Sequence, residues 1–190
     1  MYRMIYQNNV VSRTLFIWLS FSAALWLIFG IAYFTHPQAW DSVAEVQRQT
    51  GWGVFGSILV SNGLLLLLII VGNLFVRFAG ITPGMISLAI QAVIIGWTAG
   101  TNAFIEPFAS VVQANAAYLR IGLWETTAYA VIFAVTLPKS LLISDTFPAK
   151  QWTQQRSIKD LHFTKSEWLI ATAGMLCLIG AAYVEAFLPT

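Results

Sequence analysis

The stretch VFGSILVSNGLLLLLIIVGNLFV, residues 54–76, decides the fold. It contains no charged side chain, and Arg77 closes it. About twenty apolar residues, each rising 1.5 Å along a helix, cross roughly 30 Å of hydrocarbon. This run is therefore long enough to span a bilayer once. A helix is the form that lets such a segment satisfy its own N–H and C=O groups where there is no water.

Four further runs of similar character flank it, at about 14–34, 83–102, 119–143 and 168–188. Of the 190 residues, 58% are hydrophobic and 9% are charged. Soluble domains carry about 25% charged residues, so this chain has too little polar surface to cover a globule in water. No strand-type alternation competes with the long runs. The expected fold is an all-α membrane protein: one transmembrane domain over residues 1–190, a bundle of about five spanning helices with short interfacial helices. A cleavable signal peptide is not expected, because the first run exceeds a signal core and no small-residue cleavage site follows it.

Local chemistry marks the boundaries. Thr82-Pro83 reads as an N-cap followed by a proline at the first helical position. Thr164 and Glu167 have the spacing of a capping box before the last run. Glu106-Pro107 resembles another helix start, and Pro138 is placed to kink or end the fourth span. If five helices alternate, Arg3, Arg13, Arg77, Lys139, Lys150, Arg156, Lys159 and Lys165 fall on one side. Arg48 and Arg120 fall on the other, with Asp41, Glu45 and Glu106. The excess of Lys and Arg predicts a cytoplasmic N-terminus and an external C-terminus in a cell membrane.

Three connections are long enough to carry structure. Residues 36–53 read as a short external helix, with Trp40 and Trp52 suited to the headgroup boundary. Phe104, Phe108, Val111 and Val112 recur at helical spacing, which predicts an interfacial helix over 104–118. Residues 144–166 form the most hydrophilic stretch and carry Lys150, Arg156, Lys159 and Lys165. That loop is either a docking site for a partner or anionic lipid, or an ordinary positive-inside loop.

Within the spans, Glu125 stands out, because an ionised group at the bilayer centre costs on the order of 2.5–3.5 kcal/mol. It is expected to accept hydrogen bonds from Asn62, Gln91 or Asn102, while Arg120 snorkels outward. Glu125 then either couples ions or fastens the fourth helix to its neighbours, and the structural role is favoured. Gly96 and Gly100 form a GxxxG pair, and Ala173, Cys177 and Ala181 repeat every four residues; both patterns suit close helix packing. Cys177 is the single cysteine, so an internal disulfide and a Cys-based metal cluster are excluded. His36 and His162 fall on opposite sides in this topology. No P-loop, GxSxG or HExxH motif occurs, so no enzyme, cofactor or metal is expected. A net charge of +2 with no basic stripe argues against nucleic acid.

ILVSN, GITPGMISLAIQAVIIGWTAG and LRIGLWETTAYA together resemble the stage II sporulation protein M family of membrane proteins. The resemblance covers roughly residues 55 to 140. Asn62, Gly96, Gly122 and Glu125 occupy positions matching the family's Asn-containing span, its glycine and its Gly-x-x-Glu element. Gln91-Ala92 stands where the family has Asn-Gly, and Ile121 stands where it has histidine. The resemblance implies a non-enzymatic component that works in a complex, a scaffold or accessory subunit binding other membrane proteins or copies of itself. The rival expectation is a transporter's permease subunit with a polar path around Glu125.

Overall fold

The computed structural model describes residues 5–7, 9–41 and 49–188. Among the described residues, five helices are long and apolar enough to cross a membrane. They are α1 (Val10–Thr35), α2 (Trp52–Phe75), α3 (Pro83–Gly100), α4 (Val111–Lys139) and α5 (Lys165–Phe187). The chain is thus an all-α, multi-pass membrane protein. The helices alternate in direction, so one end of the bundle gathers the start of α1, the α2–α3 turn and the α4–α5 loop. The other end gathers the α1–α2 and α3–α4 connections and the end of α5.

Side-chain caps set most of the helix starts. The Asn9 carboxamide accepts from the Val11 and Ser12 amides at 2.9 and 3.1 Å. Thr82 accepts from Met85 N at 3.0 Å ahead of Pro83. Thr164 and Glu167 form the full reciprocal capping box. The start expected at Glu106-Pro107 is not used. Residues 101–110 are irregular, and α4 begins at Val111, capped by Ser110. The interfacial helix expected over 104–118 is therefore absent. Its Val111 and Val112 belong to the first turn of the fourth span, whereas Phe104 and Phe108 meet edge to face in the loop. The helical part of α4 ends at Thr136, and a short 3-10 turn carries the chain through Pro138 to Lys139. In the connection after α1, Pro37–Trp40 is a 3-10 turn. Residues 42–48 of that expected external helix, with Glu45 and Arg48, lie outside the described residues, as does Arg3, and Trp52 opens α2.

α4 is the central helix. In its most apolar window 61% of residues are buried, against 11% to 28% in the other four. Leu66, Ile69, Ile132, Phe133 and Leu178 meet in the core around it. α3 packs on α1 through Gly96 and Gly100. A Cβ at either position would lie 2.5 Å from a carbonyl oxygen of α1, that of Leu25 or Phe29. Only residues without a side chain permit that approach. On α5 the packing face is rotated from the expected Ala173–Cys177–Ala181 stripe. Gly174, Leu178, Ala181, Ala182 and Ala186 are buried, whereas Ala173 is exposed and Cys177 half-buried. Gly174 is a helical step from Ala173 and meets Val131, so the interior follows the 174–178–181 line.

A three-stranded sheet caps the first end, where the sequence shows no strand pattern. β1 (Val76–Phe78) continues directly from α2 and pairs in parallel with β2 (Leu142–Ser144). β2 pairs antiparallel with β3 (Thr153–Gln154). The fourth span expected to reach residue 143 thus becomes strand at Leu142. Beneath the sheet, Asn73 is fully buried. It donates to Thr136 Oγ1 at 2.9 Å and accepts from Thr82 Oγ1 at 2.6 Å, and its backbone oxygen accepts from Ser140 Oγ at 2.8 Å. One side chain thereby joins α2, α3 and α4.

The same end contains a buried charge cluster. Arg13, Glu167 and Lys139 are 2%, 6% and 8% exposed. Lys139 Nζ donates to Glu167 Oε2 at 2.8 Å, and Arg13 Nη2 lies 3.5 Å from Glu167 Oε1. Arg13 Nε also donates to Ala134 O at 2.7 Å, and Lys139 Nζ to His162 O at 3.2 Å. Glu167→Gln keeps the volume but leaves two buried cations with no anion. A loss of about 3–5 kcal/mol is expected, read as a lower thermal midpoint in detergent. A midpoint equal to that of the parent would show that the cluster is not a fastening.

Candidate functional site

A cavity of about 810 Å³ opens at the end of the bundle opposite the sheet, between α2, α4, α5 and the irregular 101–110 loop. Glu106, Glu125 and Glu185 line it, from three different elements. A second recess beside it is lined by Ser57, Ser61, Asn62, Glu125 and Glu185. Ser57, Ile58, Glu125 and Glu185 line both, and Glu125 lies near the middle of α4, so the open space reaches into the span there.

The polar group at that point is built from two helices. Asn62 of α2 donates through Nδ2 to Glu125 Oε1 of α4 at 2.7 Å. Tyr129, one turn further along α4, donates its hydroxyl to Asn62 Oδ1. The amide is thereby oriented by both contacts, and α2 is held to α4. The two threonines after Glu125 serve other purposes. Thr126 bonds back to Gly122 O at 2.8 Å, and Thr127 accepts from Trp18 Nε1 of α1 at 2.9 Å.

A π-helical turn, Tyr118–Gly122, precedes Glu125. Its wider winding admits an extra residue and is often found beside functional groups. Here it closes on itself, with Gly122 against the Tyr118 ring and Tyr118 Oη 3.5 Å from Thr126 Oγ1. Arg120, within the turn, is exposed and donates to Leu188 O at 2.8 Å. It reaches the end of α5 and is not hydrogen-bonded to Glu125.

Of the four polar residues expected to cluster, the structure joins two. Gln91 is half-buried on α3 and makes no hydrogen bond to Glu125. Asn102 is buried after α3 with φ of 51°, a left-handed conformation that asparagine tolerates. It donates to Phe108 O and accepts from Phe108 N, both at 2.9 Å, so it fastens the loop at the cavity mouth. Sequence reasoning does not single out Glu185 or Tyr129. Glu185 lies within the expected fifth span, where a carboxylate in an apolar run is a legible signal. Tyr129 gives none, since one tyrosine among alanines reads as packing.

The loop cations divide as well. Lys150, Lys159 and Lys165 are exposed, but Arg156 is half-buried and donates to Pro138 O at 3.2 Å. Arg156 therefore fastens the loop to the end of α4. His36 stacks edge-on to Trp97 at one end, and His162 lies at the other. Among the described residues no group of three His, Cys, Asp or Glu is placed to hold a metal ion.

Chemically, the cavity is a hollow with carboxylates on its walls and apolar side chains around them. Low-dielectric walls strengthen whatever field such groups produce. Asn62→Leu would leave Glu125 without its amide donor and Tyr129 without its acceptor. A loss of about 1–3 kcal/mol in detergent unfolding is expected, against little change for Ser57→Ala on the exposed wall. Equal stability of the two variants would dismiss the α2–α4 clamp. No family model, curated protein or solved structure matches this chain.

Proposed function

We propose that this protein is a non-enzymatic scaffold or accessory subunit of a membrane complex. In this reading the Glu125 cavity receives a cationic group of a partner membrane protein. The observation that carries it is the one-sided shape of the polar space. The cavity lining reaches Glu125 and Asn62, and beyond them the core is filled by Leu66, Ile69, Ile132 and Phe133. A hollow closed at its base suits holding a group better than passing one through. The resemblance to the stage II sporulation protein M family supports the same reading, through Asn62, Gly96, Gly122 and Glu125.

A permease subunit is the second reading, favoured by the depth of Glu125 within the span. Intramembrane carboxylates commonly mark ion or substrate paths. One experiment separates the two. Glu125→Gln is expected to weaken co-migration with partners on a native gel by on the order of tenfold, with no solute flux in liposomes from either parent or variant. Intact assembly together with flux that disappears in Glu125→Gln would replace the scaffold with a permease.

The proposed orientation places the sheet end in the cytoplasm and the cavity outside. It rests on Arg77, Lys150, Arg156, Lys159 and Lys165, which all belong to the sheet end. Cysteines introduced at positions 57 and 155, in a Cys177→Ala background, are expected to react with a membrane-impermeant maleimide from outside and inside sealed cells respectively. The reverse pattern would invert the orientation.

A further inference from the structure

From the loop between α4 and α5 we infer a lipid-docking surface: its exposed apolar side chains and lysines seat it on the anionic headgroups of the bilayer at the sheet end. The surface is separate from the cavity, and its argument does not depend on the function proposed above.

The loop is a folded structure hydrogen-bonded to the spans. Leu141 N donates to Leu74 O of α2 at 2.7 Å, and Gln155 N donates to Leu141 O at 2.8 Å. Ala79 N, just past β1, donates to Ser144 O at 2.8 Å. Further along the loop is a second fixed turn, in which Ser157 and Asp160 form a capping box around Ile158–Asp160. Phe147, Lys150 and Trp152 lie between β2 and β3, and Ile158 and Lys159 lie in the capped turn.

The apolar ones among these are exposed. Phe147 is 76% exposed, Ile158 69% and Trp152 45%. In water each would forfeit the gain from burying its hydrocarbon surface. Each also has an exposed lysine close by in the chain, Lys150 beside Phe147 and Trp152 and Lys159 beside Ile158, with exposed Lys165 at the loop's end. Between residues 144 and 166 there are four cations, Lys150, Arg156, Lys159 and Lys165, and two carboxylates, Asp145 and Asp160. Asp160 is engaged in the Ser157 cap.

Two observations select lipid as the occupant. The surface is continuous with membrane-crossing helices at both of its ends, so the bilayer is already beside it. An apolar side chain paired with a lysine also matches the layering of that boundary, with acyl chains below and phosphate above. The lysine excess complements an anionic leaflet, and basic segments beside a span gain attraction from each cation near such a surface.

The test places an environment-sensitive fluorophore at Phe147→Cys, and separately at Ile158→Cys, in the Cys177→Ala full-length chain. Each is reconstituted into phosphatidylcholine vesicles with or without phosphatidylglycerol and quenched with acrylamide, an uncharged probe. Docking predicts a quenching constant smaller by about twofold or more with phosphatidylglycerol present. The difference should vanish when the screening length falls from about 30 Å at 0.01 M salt to about 3 Å at 1 M. It should also vanish when Lys150, Lys159 and Lys165 are all changed to Gln. Equal quenching in both lipids at low salt overturns the proposal. Shielding seen only in native membranes, and never in phosphatidylglycerol vesicles, also overturns it and assigns the surface to a protein.

Discussion

A buried carboxylate between two cations is stable only while all three charges stay together. Glu167 occupies that position, reached by Arg13 from α1 and by Lys139 from the end of α4. Its remaining capacity goes to the backbone N–H of Thr164, at 2.9 Å. The same side chain thus caps α5, neutralises two cations and draws three of the five spans together. Removing charge from water is expensive, and only complete pairing with hydrogen bonds to the remaining groups offsets it. The sheet and the Asn73 network complete this end by tying in α2 and α3.

The two ends of the bundle are therefore unlike in kind. At one, charges and amides are paired inward and strands close over them. At the other, carboxylates line an open hollow beside the irregular 101–110 loop. Such a division separates holding the helices together from presenting a surface. The Asn62–Glu125–Tyr129 group lies between these regimes, as the last tight polar contact before the hollow begins.

Much of this fold is legible because membrane spans are written in length and apolarity, which need no tertiary information. Thr82-Pro83 and Thr164–Glu167 are equally readable, since capping is decided within a few residues. Other features are hidden by the scale at which the sequence speaks. Arg13 and Lys139 count as loop charges fixing an orientation, and nothing local says that both meet Glu167 across the long separation between the first and last spans. β1 and β2 are three residues each, too short for alternation to register. Asn62 and Glu125 stand out as misplaced polarity, whereas Asn102 gives the same signal for a different reason, a loop clasp. Phe104 and Phe108 repeat at helical spacing but pack on each other in an irregular segment, so periodicity over so few residues is a weak guide.

The wide turn at Tyr118–Gly122 fixes an angular relation along α4. An α-helix advances about 100° per residue, so one extra residue in a regular helix would swing everything before it by about that angle; the wide turn absorbs the residue instead. Val111–Ala117 and Leu123–Thr136 therefore keep the mutual facing of an unbroken helix. Arg120, inside the turn, reaches Leu188, while Glu125 beyond it faces Asn62. Deleting one residue within Tyr118–Gly122 would thus leave both flanking faces in place and alter only the turn itself.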